Sequence, residues 1–355
     1  MSNFDPNAFV RGAQLTLVGA NRALQNPKLF TTSHYKQAAI AVCAGLAIRV
    51  VLNIPIYAVK AILLFIGLFV SLDHETWDDA ILKGFGFVSK EVLQIPFFLM
   101  MVMSNITPTL DNLFMESLQW VDQTYVQKHK SDDPTQLRAM YYPMLKMYST
   151  HGEKQKRERR TFLDGVILFA SRYGRRAAIS LAVYLLTFVP KIGSFVLPAA
   201  SFYTFNKSVG PVPAGIVFAT GLVLPKAYVV SFLQTYFVSR SLMSQLLKPY
   251  FDRVQFTKEQ KKMWFVDRSG VIFGFGVAFA IMVRVPLLGV LVYGIAQAST
   301  AYLITKITEP PSPPGDKEWV QSEVRWRNKH VLLDLPMSRL DEFNAKLMGD
   351  GKIVS

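Results

Sequence analysis

Five apolar stretches separated by polar, mostly basic segments constrain what this chain can fold into more than any other feature. They run over residues 37–72, 92–106, 177–205, 212–238 and 270–304. Several exceed the roughly 20 residues an α-helix needs to cross a hydrocarbon layer. With 51% hydrophobic and 18% charged residues, the chain holds more clustered apolar surface than one soluble core can use. The expected fold class is all-α: a polytopic membrane helical bundle of about four spanning helices plus one or two helix-break-helix, or re-entrant, hairpins.

Charge orients these segments. The formal net charge is +14, and the bases gather beside the apolar stretches, which points to anionic lipid headgroups as partners and not to nucleic acid. Residues 151–176 hold eight bases against three acids, a net of +5, and residues 239–268 hold seven against three, a net of +4. The excess of Lys and Arg places both loops on the cytosolic side. Asp73, Glu75, Asp78, Asp79 and Glu91 against Lys83 and Lys90 suit the opposite side.

The expected organisation follows. Residues 1–36 form a cytosolic amphipathic segment without a cleavable signal pattern, 37–108 a first membrane helix pair, and 109–176 a cytosolic amphipathic and basic insert. Residues 177–238 form a second helix pair, 239–269 a cytosolic basic loop, 270–305 a membrane hairpin and 306–355 a Pro-rich cytosolic tail, so both termini are cytosolic.

Breaks inside the apolar stretches mark candidate functional positions. Val189-Pro190-Lys191-Ile192-Gly193 and Val285-Pro286-Leu287-Leu288-Gly289 share a V-P-x-x-G pattern. A kink and a half-membrane hairpin both fit such a pattern. For the second, length favours the hairpin, because about 35 residues of continuous helix would reach roughly 52 Å against a hydrocarbon core of about 30 Å. Lys191 and Arg284 stand at these breaks, where a charge must snorkel, pair or meet water. In the first stretch Arg49, Asn53 and Lys60 lie on one helical face around Pro55. That stripe is readable as an anion path, or as charges that reach opposite interfaces or pair elsewhere.

Other patterns resolve to structure. Leu110, Leu113, Phe114, Ser117, Leu118, Val121 and Tyr125 follow helical spacing, as do Leu137, Met140, Tyr141, Met144, Leu145 and Tyr148, so both segments are expected to lie along the cytosolic interface. Gly270-x-x-x-Gly274 and Gly276 would let helices approach closely. Residues 309–315 read as a polyproline spacer, and 319–347 hold enough hydrophobic positions for a small docked helix. His74 and Asp79 have the H-x-x-x-x-D spacing of glycerolipid acyltransferases, but no phosphate-binding block follows and the segment is read as a solvated acidic loop. The remaining histidines are scattered and Cys43 stands alone, so no catalytic residue, cofactor or metal site is expected.

Gly19-x-x-Arg22-Ala23-Leu24-x-x-Pro27-Lys28-Leu29-Phe30 resembles the opening of the CysZ/etoposide-induced membrane protein superfamily, and residues 189–198 resemble its hairpin segment. With residues 285–289 the resemblance spans roughly residues 19–304. The polar insert before the third apolar stretch and the Pro-rich tail are most similar to the fungal outer-spore-wall and lipid-droplet branch. That resemblance implies an endoplasmic reticulum or lipid-droplet location, a link to spore-wall or cell-wall assembly, and no assigned catalytic chemistry. The bacterial branch is associated with sulfate uptake, but its arginine pair after the early proline is matched here only by Lys28 and Lys36. The expectation is a non-enzymatic membrane protein that organises lipid or wall material, with membrane lipids as partners and self-association left open. A small-anion, sulfate-like transporter or channel is the alternative.

Overall fold

The computed structural model describes residues 5–30, 43, 109–130, 137–148, 196, 199, 202–203, 206, 210–223, 226–283 and 288–336. All the secondary structure among them is helical, as the apolar periodicities predicted. In chain order these are α1 (Pro6–Leu24), a 3-10 turn (Pro27–Phe30), α2 (Thr109–Lys128), α3 (Tyr141–Met147), α4 (Pro211–Val223), α5 (Lys226–Leu246), α6 (Lys248–Val254), α7 (Lys258–Asp267), α8 (Ser269–Val283), α9 (Leu288–Ile307), α10 (Lys317–Glu323) and α11 (Lys329–Asp334). Among the described residues no single helix is long and apolar enough to cross a membrane. α7 and α8 pass that test only as a pair, bent by 80°.

The centre of the fold is the hairpin of α8 and α9. At one end of the pair, the Nε of Arg268, just before α8, donates to the carbonyl of Ile307, the last residue of α9, at 2.8 Å. At the other end Gly289 stands so close to Val283 that an added Cβ would lie 2.3 Å from the Val283 carbonyl oxygen. The two helices therefore run antiparallel, and residues 270 and 304 emerge at the same end. At 1.5 Å per residue the arms are roughly 22 and 30 Å long. Pro286 and Arg284 fall in the break, outside the described residues.

α1 crosses the half of this hairpin nearest the Arg268 end. Asp5 caps it by accepting from the Asn7 backbone N–H at 2.9 Å, and Pro6 takes the first helical position. Its inner face, Ala8, Arg11, Gly12, Leu15, Thr16, Gly19 and Ala23, is buried at helical spacing. The close approach is made by glycines. A Cβ on Gly12 would lie 2.2 Å from the Val271 carbonyl oxygen, and one on Gly274 2.0 Å from that of Phe9. The glycine spacing at 270 and 274 thus does what was expected of it, and Thr16 ties the crossing by donating to the Phe275 carbonyl at 3.2 Å.

α5 packs on α8, where Gly276 faces Ser239 and Met243 of α5. The apolar stretch 212–238, expected as one return span, holds most of α4 and the first part of α5, which runs on eight residues beyond Val238. Leu224 and Pro225, between the two, lie outside the described residues.

α2 packs along α9 with Leu113, Phe114, Leu118 and Tyr125 buried, while α3 contributes Tyr141 and Leu145. The apolar faces expected to lie on the membrane interface therefore turn inward. Periodicity states that a face must leave water and not what removes it, and each fully buried Leu or Phe contributes about 1.5–3 kcal/mol against either partner. The tail docks as α10 and α11 through Trp319, Trp326 and Leu332. Gly315 makes the turn into it at φ +104°, beyond the proline run.

Candidate functional site: the polar base of the hairpin

Charged side chains collect where α8 begins and α9 ends. Arg268 is almost fully buried, at 1% exposure, as is Glu323 at 2%. Besides Ile307, the Arg268 guanidinium donates to the Val324 carbonyl at 3.2 Å, the Glu323 carbonyl at 3.0 Å and the Glu323 Oε1 at 2.9 Å. The other carboxylate oxygen of Glu323 accepts from the Glu309 backbone N–H at 3.0 Å. Arg268 also stacks against Trp264 with its central carbon 4.7 Å from the ring centre. One guanidinium so joins the end of α7, the end of α9 and the end of α10. Asp267 adds a second tie, accepting from the Trp326 backbone N–H at 2.5 Å.

Burial disfavours the charged form of each partner and the ion pair restores it only in part. Burial pushes the Glu323 carboxyl from an ordinary 4.5 up to about 7, against the pull of Arg268. Because the folded-state value lies above the open-chain value, the folded form holds this proton more tightly. The group's contribution is therefore fully present below about pH 4.5 and is lost as pH rises through about 7, with a ceiling of about 3 kcal/mol. Amide exchange over Trp319–Glu323, corrected for the chemistry of exchange itself, should be faster at pH 8 than at pH 5. Glu323→Gln should flatten that difference, and an unchanged pH dependence would contradict it.

Two further ion pairs brace α2, one at its start and one in its second half. Arg253 of α6 binds Asp111 of α2 through both guanidinium nitrogens, at 2.6 and 2.7 Å. Arg138 donates to Asp122 at 2.9 Å, and the other oxygen of Asp122 accepts from the Tyr142 backbone N–H at 2.7 Å. Arg138 lies over the rings of Tyr125 and Tyr141. Tyr141 in turn donates to the Thr308 carbonyl at 2.5 Å, one residue past α9. From the far side of the chain, Arg11 donates to the carbonyls of Leu333, at 2.8 Å, and Leu335.

The hairpin's other end has a different character. Ile281 and Met282 near the end of α8 and Leu291 near the start of α9 are 56%, 50% and 46% exposed. α1 carries a second outward apolar line, Val10, Leu17 and Leu24, at seven-residue spacing. One end of the hairpin is thus apolar and open, the other charged and closed.

Of the candidate polar-path and break positions, Gly289 is the one that falls among the described residues, pressed against Val283. Arg49, Asn53, Lys60, Pro190, Lys191, Gly193, Arg284 and Pro286 lie outside the described residues, as do His74 and Asp79. The structure places Arg268, Glu323, Arg138 and Asp122 at the base instead, with Arg253 and Asp111 paired farther along α2. Their partners are 55, 16 and 142 residues apart, and no local spacing announces such pairs. Arg253 and Arg268, two of the seven bases of residues 239–268, are both buried and paired with acids, Arg253 with the partly exposed Asp111 and Arg268 with the buried Glu323. Among the described residues no group of three or more His, Cys, Asp or Glu side chains comes together to hold a metal.

Comparison with protein-family models, curated proteins and solved structures found no match.

Proposed function

We propose that this chain is a non-enzymatic membrane protein of the endoplasmic reticulum or lipid-droplet surface, which organises lipid or wall material, and that the α8–α9 hairpin is its embedded element. The observation that carries the reading is the hairpin's polarity, with Ile281, Met282 and Leu291 exposed at the apolar end and the Arg268–Glu323 cluster buried at the charged base. Polar backbone groups inside helices need no water, so such a hairpin can enter hydrocarbon tip first. The α8 arm, at roughly 22 Å, is shorter than a hydrocarbon core of about 30 Å, so the hairpin dips into the layer and returns. An element that enters and leaves by one face suits a phospholipid monolayer as well as a bilayer. The 80° bend between α7 and α8 then lets α7 lie along the surface, with Lys258, Lys261 and Lys262 at headgroup level. Gln297, within the embedded arm, is satisfied internally by donating to the Leu246 carbonyl at 2.8 Å. The location and the link to wall material rest on the family resemblance.

An environment-sensitive fluorophore tests the insertion. In a Cys43→Ala background, the label on Met282→Cys should shift its emission to shorter wavelength when the protein is reconstituted in phosphatidylcholine vesicles. The same label on exposed Arg327→Cys should keep its aqueous emission. A label at position 282 that stays aqueous would remove the embedded hairpin. Protease digestion of a tag placed after Ser355 in intact microsomes, together with the segment around Lys154, is the expected companion result.

A further inference from the structure

Where α10 gives way to α11, exposed and buried residues alternate. Arg325 and Arg327 face solvent, while Val324, Trp326 and Asn328 are buried, and the half-buried Lys329 opens α11. The buried members pin this backbone: the Val324 carbonyl accepts from Arg268, the Trp326 N–H is held by Asp267, and the Asn328 carbonyl accepts from the Leu332 N–H at 3.2 Å. The bases are thus displayed from a fixed segment. Among the described residues, no hydrogen bond or ion pair engages the side chain of Arg325, Arg327 or Lys329. The acids close by are engaged elsewhere, Glu323 with Arg268, Asp267 with the Trp326 N–H, and Asp334 beside Arg11. Glu309 remains, lining the same small recess as Arg325 and Arg327. The segment therefore sets three bases against one carboxylate.

A base just past a helix end has an ordinary role, which is to offset the partial negative charge there. Arg325, the residue after the cap of α10, fits that role. Arg327 and Lys329 do not, because they flank Asn328, the cap that starts α11, where the helix end is partly positive and a base works against it. The fold itself is not served by two bases at that point. The segment also continues a basic surface. Asp267, which holds Trp326, stands one turn after Met263, and Met263 shares the outward side of α7 with Lys258 and Lys262, against Glu259.

We propose that Arg325, Arg327 and Lys329 extend the basic face of α7 into one surface that binds anionic phospholipid headgroups. The recess beside the two arginines has a volume of about 10 Å³, room for about one water, so negative charge is met across the surface and not inside a shaped pocket. Met263, 54% exposed beside the lysines of α7, favours lipid over an acidic protein segment, since an apolar side chain among bases can reach the acyl boundary. Entry of the α8–α9 hairpin tip first would bring its base, and the segment tied to it through Arg268, to headgroup level. The choice of lipid therefore rests on the membrane reading. Each base near such a surface changes partitioning about fivefold, and three together about a hundredfold, an effect that fades as salt shortens the screening length.

The test measures capture of the full chain on vesicles of phosphatidylcholine with and without phosphatidylserine, at low and at physiological salt. The preference of the parent for phosphatidylserine should fall about a hundredfold in the triple variant Arg325→Gln, Arg327→Gln, Lys329→Gln, while capture on phosphatidylcholine and thermal unfolding stay as in the parent. Arg325→Lys combined with Arg327→Lys keeps the charge and should keep the preference, because diffuse attraction to headgroups does not need the guanidinium fork. The proposal is overturned if the parent shows no preference for phosphatidylserine, if the triple variant retains it, or if the lysine variant loses it. Binding of the parent to polyglutamate in place of phosphatidylserine vesicles would overturn it in favour of an acidic protein partner. A parent that ignores phosphatidylcholine, yet shows the preference and its loss in the triple variant, would remove the embedded hairpin and leave the basic surface standing.

Discussion

Arg268→Met is expected to destabilise the described fold by about 3–5 kcal/mol, because it leaves Glu323 buried without its counter-charge. It also removes the donors to the carbonyls of Ile307, Glu323 and Val324. The loss should be larger at pH 8 than at pH 5, since in acid Glu323 takes up a proton and sheds the uncompensated charge. Combining Arg268→Met with Glu323→Leu should recover much of the loss, because a buried ion pair stabilises little beyond what well-packed apolar side chains supply. Thermal unfolding in detergent at both pH values reads the effect. A single variant that melts with the parent at pH 8 would show that the base is not held by this pair.

Gly274→Leu should separate α1 from the hairpin. The nearest atoms to a new Cβ are the backbone oxygen of Phe9 at 2.0 Å, its carbon at 2.9 Å and the nitrogen of Ala13 at 3.1 Å. A flexible side chain could step aside, but a helix backbone moves only as a unit. The cost should therefore exceed the usual 1–3 kcal/mol of an overpacked core. The control is Gly294→Ala on α9, where the new methyl meets only the Leu113 side chain at 3.9 Å. There the gain in helix propensity, about 0.5–1 kcal/mol, is unopposed. Limited proteolysis within α1 and thermal unfolding together distinguish the two. Equal behaviour of the variants would refute the close-contact account.

Helical periodicity and small-residue spacing were legible because they are local. Leu113, Phe114, Leu118 and Tyr125 named the buried face of α2, and Gly270 and Gly274 marked a close crossing before any partner was known. What the sequence withheld was the identity of the covering surface. An apolar stripe leaves water as readily against α9 as against lipid, and the stripe itself is the same in either case. Charge misled for a related reason. Arg253 and Arg268 read as loop bases facing headgroups, yet each is neutralised by an acid 142 or 55 residues away.

The bond from Arg11 to Leu333 joins residues 322 apart. On a ribosome adding 5–20 residues per second, α1 emerges roughly 16 to 64 seconds before that partner exists. Among the described residues, the helices its glycine face crosses, α8 and α9, also belong to the last third of the chain. α1 therefore waits for nearly the whole of synthesis before these partners exist, and the first of the described helices to be made is among the last to be placed.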